Sequence, residues 1–114
     1  MRGALGFLGL ARKAGALVTG EENARLAVRS GRARLLVVSA DASANARKRA
    51  EGFVKGTNVL LAVLPLTKEA VSSATGRPGC SMAVFTDTGL AAGFLKALAA
   101  EYGEDYSGLT EYLG

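Results

Sequence analysis

The chain has 114 residues, 49% of them hydrophobic and 6% aromatic, with 15 glycines, two prolines and a formal net charge of +4. That length suits one domain with one core, and the scarcity of proline argues against a proline-rich linker. Cys80 is the one cysteine and there is no histidine, which excludes an internal disulfide, a Cys/His zinc site and His-based acid–base catalysis.

Leu5, Leu8 and Ala11 or Arg12 recur at helical spacing, so residues 3–14 are expected to form a first helix despite Gly3, Gly6 and Gly9. Those glycines lack the G-x-G-x-x-G spacing and follow no strand, so close helix packing is their expected use. Residues 16–19 read as a short extended piece, and Gly20 permits a sharp turn into a second helix from Glu21 to Ser30. Ala24, Ala27 and Val28 form its inward stripe, Glu21 and Glu22 suit its dipole, and Gly31 ends it. On the helical wheel Glu22, Arg25, Leu26 and Arg29 share the outer face.

Leu35 to Ser39 is a continuous apolar run, the pattern of a central strand covered on both faces. Asp41 or Ser43 is expected to cap a third helix that carries Arg47, Lys48 and Arg49 and ends near Gly52 or Gly56. Residues 58–64 read as a second apolar strand closed by Pro65. Thr67 can cap a short fourth helix whose inner face is Ala70, Val71 and Ala74. Gly76 to Gly79 makes a loop, Ser81 to Thr86 a third strong strand, and Asp87 caps a last helix with Leu90, Phe94 and Leu98 aligned. A domain over residues 1–101 is then followed by an acidic tail, 102–114. Helices alternating with strands, over a core rich in Leu, Val and Ala, predict an α/β fold: a three-layer α/β/α sandwich around a small mixed sheet.

Charge is unevenly distributed along the chain. Residues 1–79 hold 13 Lys/Arg against 5 Asp/Glu, whereas residues 80–114 hold 1 against 5. A basic body with an acidic tail is a pattern found among nucleic-acid binders. The start of the second helix is the first candidate site, because free backbone N–H groups and a positive dipole end attract anions. Gly20 keeps the approach open there, Asn23 offers a donor and an acceptor, and Glu22 repels phosphate but can accept from the amino edge of a base. Arg12 and Lys13, with Arg25 and Arg29, are candidates for phosphate contact. The run 47–49 reads as a solvated helix face, since three neighbours radiate around a helix. The loop Arg77, Pro78, Gly79, Cys80 is the second candidate wall, able to brace an extruded base or simply to turn the chain. Few aromatics interleave these groups, so backbone and shape recognition of folded RNA is expected rather than base stacking.

The blocks L-A-R-K-A-G-x-L-V-x-G-E-E at 10–22, S-G-R-A-R-L-L-V-V-S-x-D-A-S at 30–43 and A-T-G-R-x(4)-M-A-V-x-x-D-x-G-x-A at 74–91 resemble the bacterial YlxQ-like proteins of the ribosomal L-seven-Ae superfamily. The resemblance spans roughly residues 3–100 and implies an α/β/α sandwich that binds kink-turn RNA without catalysis. In such relatives a Gly-x-Asn-Glu sequence, followed one turn later by Lys, reads tandem sheared G·A pairs at the start of the second helix. An apolar loop before the last strand covers the extruded nucleotide. By position, Gly20 matches the glycine, Glu22 falls at the Asn, Asn23 at the Glu and Leu26 at the Lys, and the loop falls on Arg77, Pro78, Gly79 and Cys80. The reversed Asn/Glu order and the absent lysine remove one charge-assisted hydrogen bond, roughly 1.5–3 kcal/mol, so RNA binding is expected with altered kink-turn specificity.

The expected protein is therefore a non-catalytic, cytoplasmic RNA-binding protein, ribosome-associated or bound to structured RNA, with transcription or translation proteins as further partners. No cofactor and no metal is expected. No apolar run reaches about 18 residues, so no membrane span is expected either. The apolar start up to Leu10 is broken by Arg12 and Lys13 and shows no cleavage signal. A protein–protein adaptor using the acidic tail and Leu26 is the alternative. A recognition module resembling the small domain before some RNA ribose methyltransferases is a third reading, which would need a partner chain for catalysis.

Overall fold

The computed structural model describes residues 3–103. It contains α1 (Ala4–Lys13), β1 (Leu17–Thr19), α2 (Glu21–Arg29), β2 (Leu35–Val38), α3 (Ala44–Val54), β3 (Leu60–Val63), α4 (Lys68–Thr75), β4 (Met82–Phe85) and α5 (Thr88–Tyr102). Beyond Tyr102, which ends α5, and Gly103, the acidic tail falls outside the described residues.

The four strands form one mixed sheet in the order β1-β4-β2-β3. β4 runs antiparallel to both neighbours, with Leu17 and Leu35 each opposite Phe85, while β2 and β3 are parallel, with Leu35 opposite Leu60. Every residue of β2 and β4 is buried, as a strand covered on both faces requires. Strand side chains alternate between faces. Leu35, Val37, Ala83 and Phe85 therefore meet Leu8, Val71 and Phe94 in the layer of α1, α4 and α5. Leu36, Val38, Met82 and Val84 meet Ala24, Ala27, Val28 and Ala50 in the layer of α2 and α3. The fold is an α/β/α sandwich around a mixed sheet, as the alternation of elements predicts. The Phe85 and Phe94 rings tilt together at 4.9 Å near its centre.

Local chemistry accounts for most helix boundaries. Ser43, Thr67 and Asp87 accept from the backbone N–H of Ala46, Ala70 and Leu90 at 3.1, 3.1 and 2.8 Å, capping α3, α4 and α5. Ser43 is thus the cap of α3, and Asp41 instead accepts from Lys68 N–H at 2.7 Å, tying the β2–α3 turn to the start of α4. Gly52 lies within α3, which ends before the turn at Gly56. Ala4, Leu8 and Ala11 are the buried stripe of α1, and Leu5 is exposed. In α4 the buried residues are Val71 and Thr75, with Ala70 and Ala74 at the margin. Gly9 is used for close packing, since a Cβ there would lie 3.2 Å from the Ala74 carbonyl.

Candidate functional site

The site begins with the turn between β1 and α2. Gly20 has φ 96° and ψ 152°, a conformation open essentially to glycine alone. Its N–H donates to the Met82 carbonyl at 2.9 Å, so the turn is fastened to the central strand. As the cap residue of α2, Gly20 brings no side-chain acceptor. The first-turn N–H groups of α2 therefore point outward beside the positive end of the dipole.

The flanking side chains are held in defined ways. Asn23 Nδ2 donates to the Thr19 carbonyl at 3.1 Å, which directs the amide oxygen outward as an acceptor. Glu22 and Arg25 form an ion pair on the exposed face of α2. The Arg25 hydrogen bond holds the Glu22 carboxyl below its ordinary pKa, and Glu22 in turn raises Arg25. Glu21 pairs with Arg49 of α3 at 2.6 Å, linking the two helices of this layer. Leu26 is 47% exposed, as its place outside the Ala24/Ala27/Val28 stripe requires. The edge thus presents a carboxylate, an amide oxygen and an apolar side chain in succession.

Gly20 and Gly79 line one cavity of about 430 Å³ with Glu21, Asp41, Ser43, Arg49 and Lys68. The start of α2 and the loop before β4 are therefore neighbours, although about sixty residues separate them in the chain. Asp41, at the rim, has its carboxyl held below the ordinary value chiefly by the Lys68 N–H. Sequence spacing does not mark Asp41, Arg49 and Lys68 as residues of this site, because their partners lie far along the chain.

The loop's own residues divide. Arg77, Pro78 and Gly79 are exposed. Cys80 is not available to a ligand: it is 4% exposed, its N–H donates to Ser72 Oγ at 2.9 Å, and its thiol faces the Met82 carbonyl. Its small apolar side chain anchors the loop from the inside.

Arg12 and Lys13 stand elsewhere. They end α1, on the face of the sheet opposite α2. The Arg12 guanidinium donates to the Thr75 carbonyl at the end of α4, so its charge is committed to a helix C-terminus. The loop from Gly76 to Ser81 runs from Arg12 at one end, where Gly76 approaches its guanidinium, to Gly20 at the other. Arg12 is therefore a brace for the second wall. Arg25 stays beside Asn23 and Leu26 near the start of α2, whereas Arg29, in the last turn, lies at the opposite end of the helix from Gly20 and does not belong to this edge.

Among the described residues no helix is long and apolar enough to cross a membrane. Comparison with known proteins finds no matching family model and no matching curated protein. Among solved structures, a protein of unknown function from Bacillus halodurans C is similar, with a TM-score of 0.76 and 25% identity, over 83% of this chain and 95% of that one.

Proposed function

We propose that the protein is a non-catalytic binder of structured RNA, using the start of α2 and the loop 76–79 as one recognition edge. The observation that carries this reading is an α2 start without a side-chain cap that shares one cavity with Gly79, the end of the exposed 77–79 loop. Backbone N–H groups and a positive dipole end suit a phosphate. The Asn23 oxygen and Glu22 can accept from base amino groups, and Leu26 can pack against a sugar or base. The resemblance to the YlxQ-like proteins of the ribosomal L-seven-Ae superfamily supports the same reading and points to kink-turn-like or ribosomal RNA.

The deciding experiment is titration of the full chain against a kink-turn RNA and a plain duplex of equal length at two salt concentrations. A kink-turn preference of tenfold or more, abolished in Leu26→Asp, is expected. Equal, salt-sensitive affinity would leave a backbone-directed RNA binder. Absence of binding to both RNAs at low salt would sink the proposal. It would favour a protein–protein adaptor instead, a reading that the exposed Leu26 beside the Glu22–Arg25 pair supports.

A further inference from the structure

The cations on the α2/α3 side are largely uncompensated. Arg25 and Arg49 are paired with Glu22 and Glu21. Arg29, Arg32, Arg34, Lys48 and Lys55 are exposed and have no carboxylate partner among the described residues. Topology gathers four of these at one place. Both α2 and α3 start where β1 and β2 end and return to the other end of the sheet, so Arg29 and Lys55 emerge together, opposite Gly20. Arg32 and Arg34 follow directly in the turn to β2.

Between the two turns lies a cavity of about 330 Å³, lined by Val28, Gly31, Arg34, Thr57 and Asn58 among others, with no acidic residue in its wall. Arg34 Nη1 donates to the Gly31 and Ala33 carbonyls at 3.2 Å, which fixes its guanidinium at the rim. Those two carbonyls belong to the turn after α2, and Arg32 donates to the Ser30 hydroxyl at 3.1 Å. Arg29, in the last turn of α2, and Lys55, at the C-cap of α3, lie within the attraction of a helix C-terminus, but both side chains are exposed and make no hydrogen bond among the described residues. Like charges gathered without ion-pair partners repel one another even beside helix C-termini and with Glu51 one turn before Lys55, and a polyanion relieves that repulsion.

We propose that this end of the molecule is a second polyanion-binding surface, separate from the α2 start, that takes the sugar–phosphate backbone of an RNA duplex arm. The nature of the polyanion rests on the RNA reading above. No aromatic side chain lines the cavity, so the surface suits phosphates and not stacked bases. The nine residues of α2 put the two surfaces about 14 Å apart. An RNA held at Gly20 therefore reaches the second surface only if its flanking helix extends along α2.

The test uses the full chain and the triple variant Arg29→Gln, Arg32→Gln, Lys55→Gln, which leaves Arg34 and the α2 start intact. The probes are one kink-turn RNA with its flanking helix either cut to four base pairs or extended to fourteen. On the extended RNA the variant is expected to bind tenfold or more weakly. Its salt slope should be smaller by about 2 to 3, near 0.9 for each phosphate that the variant no longer neutralises. On the cut RNA it should match the wild type. Unchanged binding to both probes overturns the second surface and leaves the RNA reading standing. Equal weakening on both also overturns it, because the cations would then act only by long-range attraction. If the wild type binds neither probe, the RNA reading and this proposal fall together.

Discussion

Replacing Gly20 by L-alanine tests whether backbone handedness, and not crowding, holds the start of α2. At φ 96° and ψ 152° a residue with a side chain is strained by about 1–3 kcal/mol. A Cβ built there meets nothing within 4 Å, so no clash adds to that figure. Alanine also stiffens the unfolded chain, which offsets part of the strain, leaving a net loss of about 1–2 kcal/mol. For a domain slightly above a hundred residues this corresponds to a fall in Tm of about 4–8 °C. D-Alanine puts its methyl group into a backbone of the opposite preference, and a protein carrying it at position 20, made by peptide ligation, should gain about 0.4–1 kcal/mol over the wild type from the stiffer unfolded chain. Urea unfolding followed by circular dichroism reads all three proteins on one scale. Equal midpoints for the L-alanine and glycine proteins would refute the strain at this turn. Equal losses for L- and D-alanine would show that crowding controls it.

Other consequences concern contacts between distant parts of the chain. Glu101 accepts from Ala4 N–H at 2.6 Å and so caps α1 from the far end of α5; Glu101→Ala should cost about 1 kcal/mol in urea unfolding. A Cβ on Gly3, the N-cap of α1, would lie 2.6 Å from Glu101 Oε1, so Gly3→Ser should displace the exposed Glu101 carboxylate and cap the helix in its place; Glu101→Ala should then cost less in the Gly3→Ser background, and equal losses in both backgrounds would refute the cap. The Asp41 carboxyl is depressed below its ordinary value of 3.8, chiefly by the Lys68 N–H. Its contribution is full above that value and is lost as pH falls through the lower folded value. The decline of stability below pH 3.8 should then be shallower in Asp41→Asn, and identical acid limbs would contradict this. Cys80, at 4% exposure, should react with an aromatic disulfide reagent only after unfolding, and rapid labelling of the native protein would show that the loop opens.

Much of this architecture is legible in the sequence, for reasons that particular residues make plain. The run Leu35–Val38 reads as a buried central strand because uninterrupted apolar residues need cover on both faces. Leu26 reads as lying on the outer face of α2 because it falls outside a three-residue stripe whose spacing is fixed by the helix, and the tertiary structure leaves that face open. Asp87 and Thr67 read as caps because their partners are three residues away. What spacing cannot show is a partner on another element. Asp41 has the chemistry to cap the helix that follows it, and only the tertiary fold sends it to Lys68, 27 residues on. Arg12 reads as a free cation beside Lys13 until α4 presents the Thr75 carbonyl. Cys80 reads as the end of a ligand-facing loop wall, yet Ser72 draws its backbone inward and its side chain is buried. In the site, Gly20, Asn23 and Leu26 are local and readable, and the facing wall with Asp41, Arg49 and Lys68 is assembled by topology.

The position of β4 has a further consequence for how the chain reaches this state. Among the described residues it is the last strand to be synthesised, yet it lies between β1 and β2 and joins them. Until residues 82–85 leave the ribosomal tunnel, the first strand has no neighbour to pair with, and Leu36 and Val37 have an open flank. The native sheet therefore cannot be completed from the amino terminus forward. Closing it requires pairing between residues far apart in sequence, which slows folding relative to a helical chain of the same size. A nascent chain stalled before Met82 should remain sensitive to protease along its whole length, and protection should arrive in one step once β4 and α5 are free to insert.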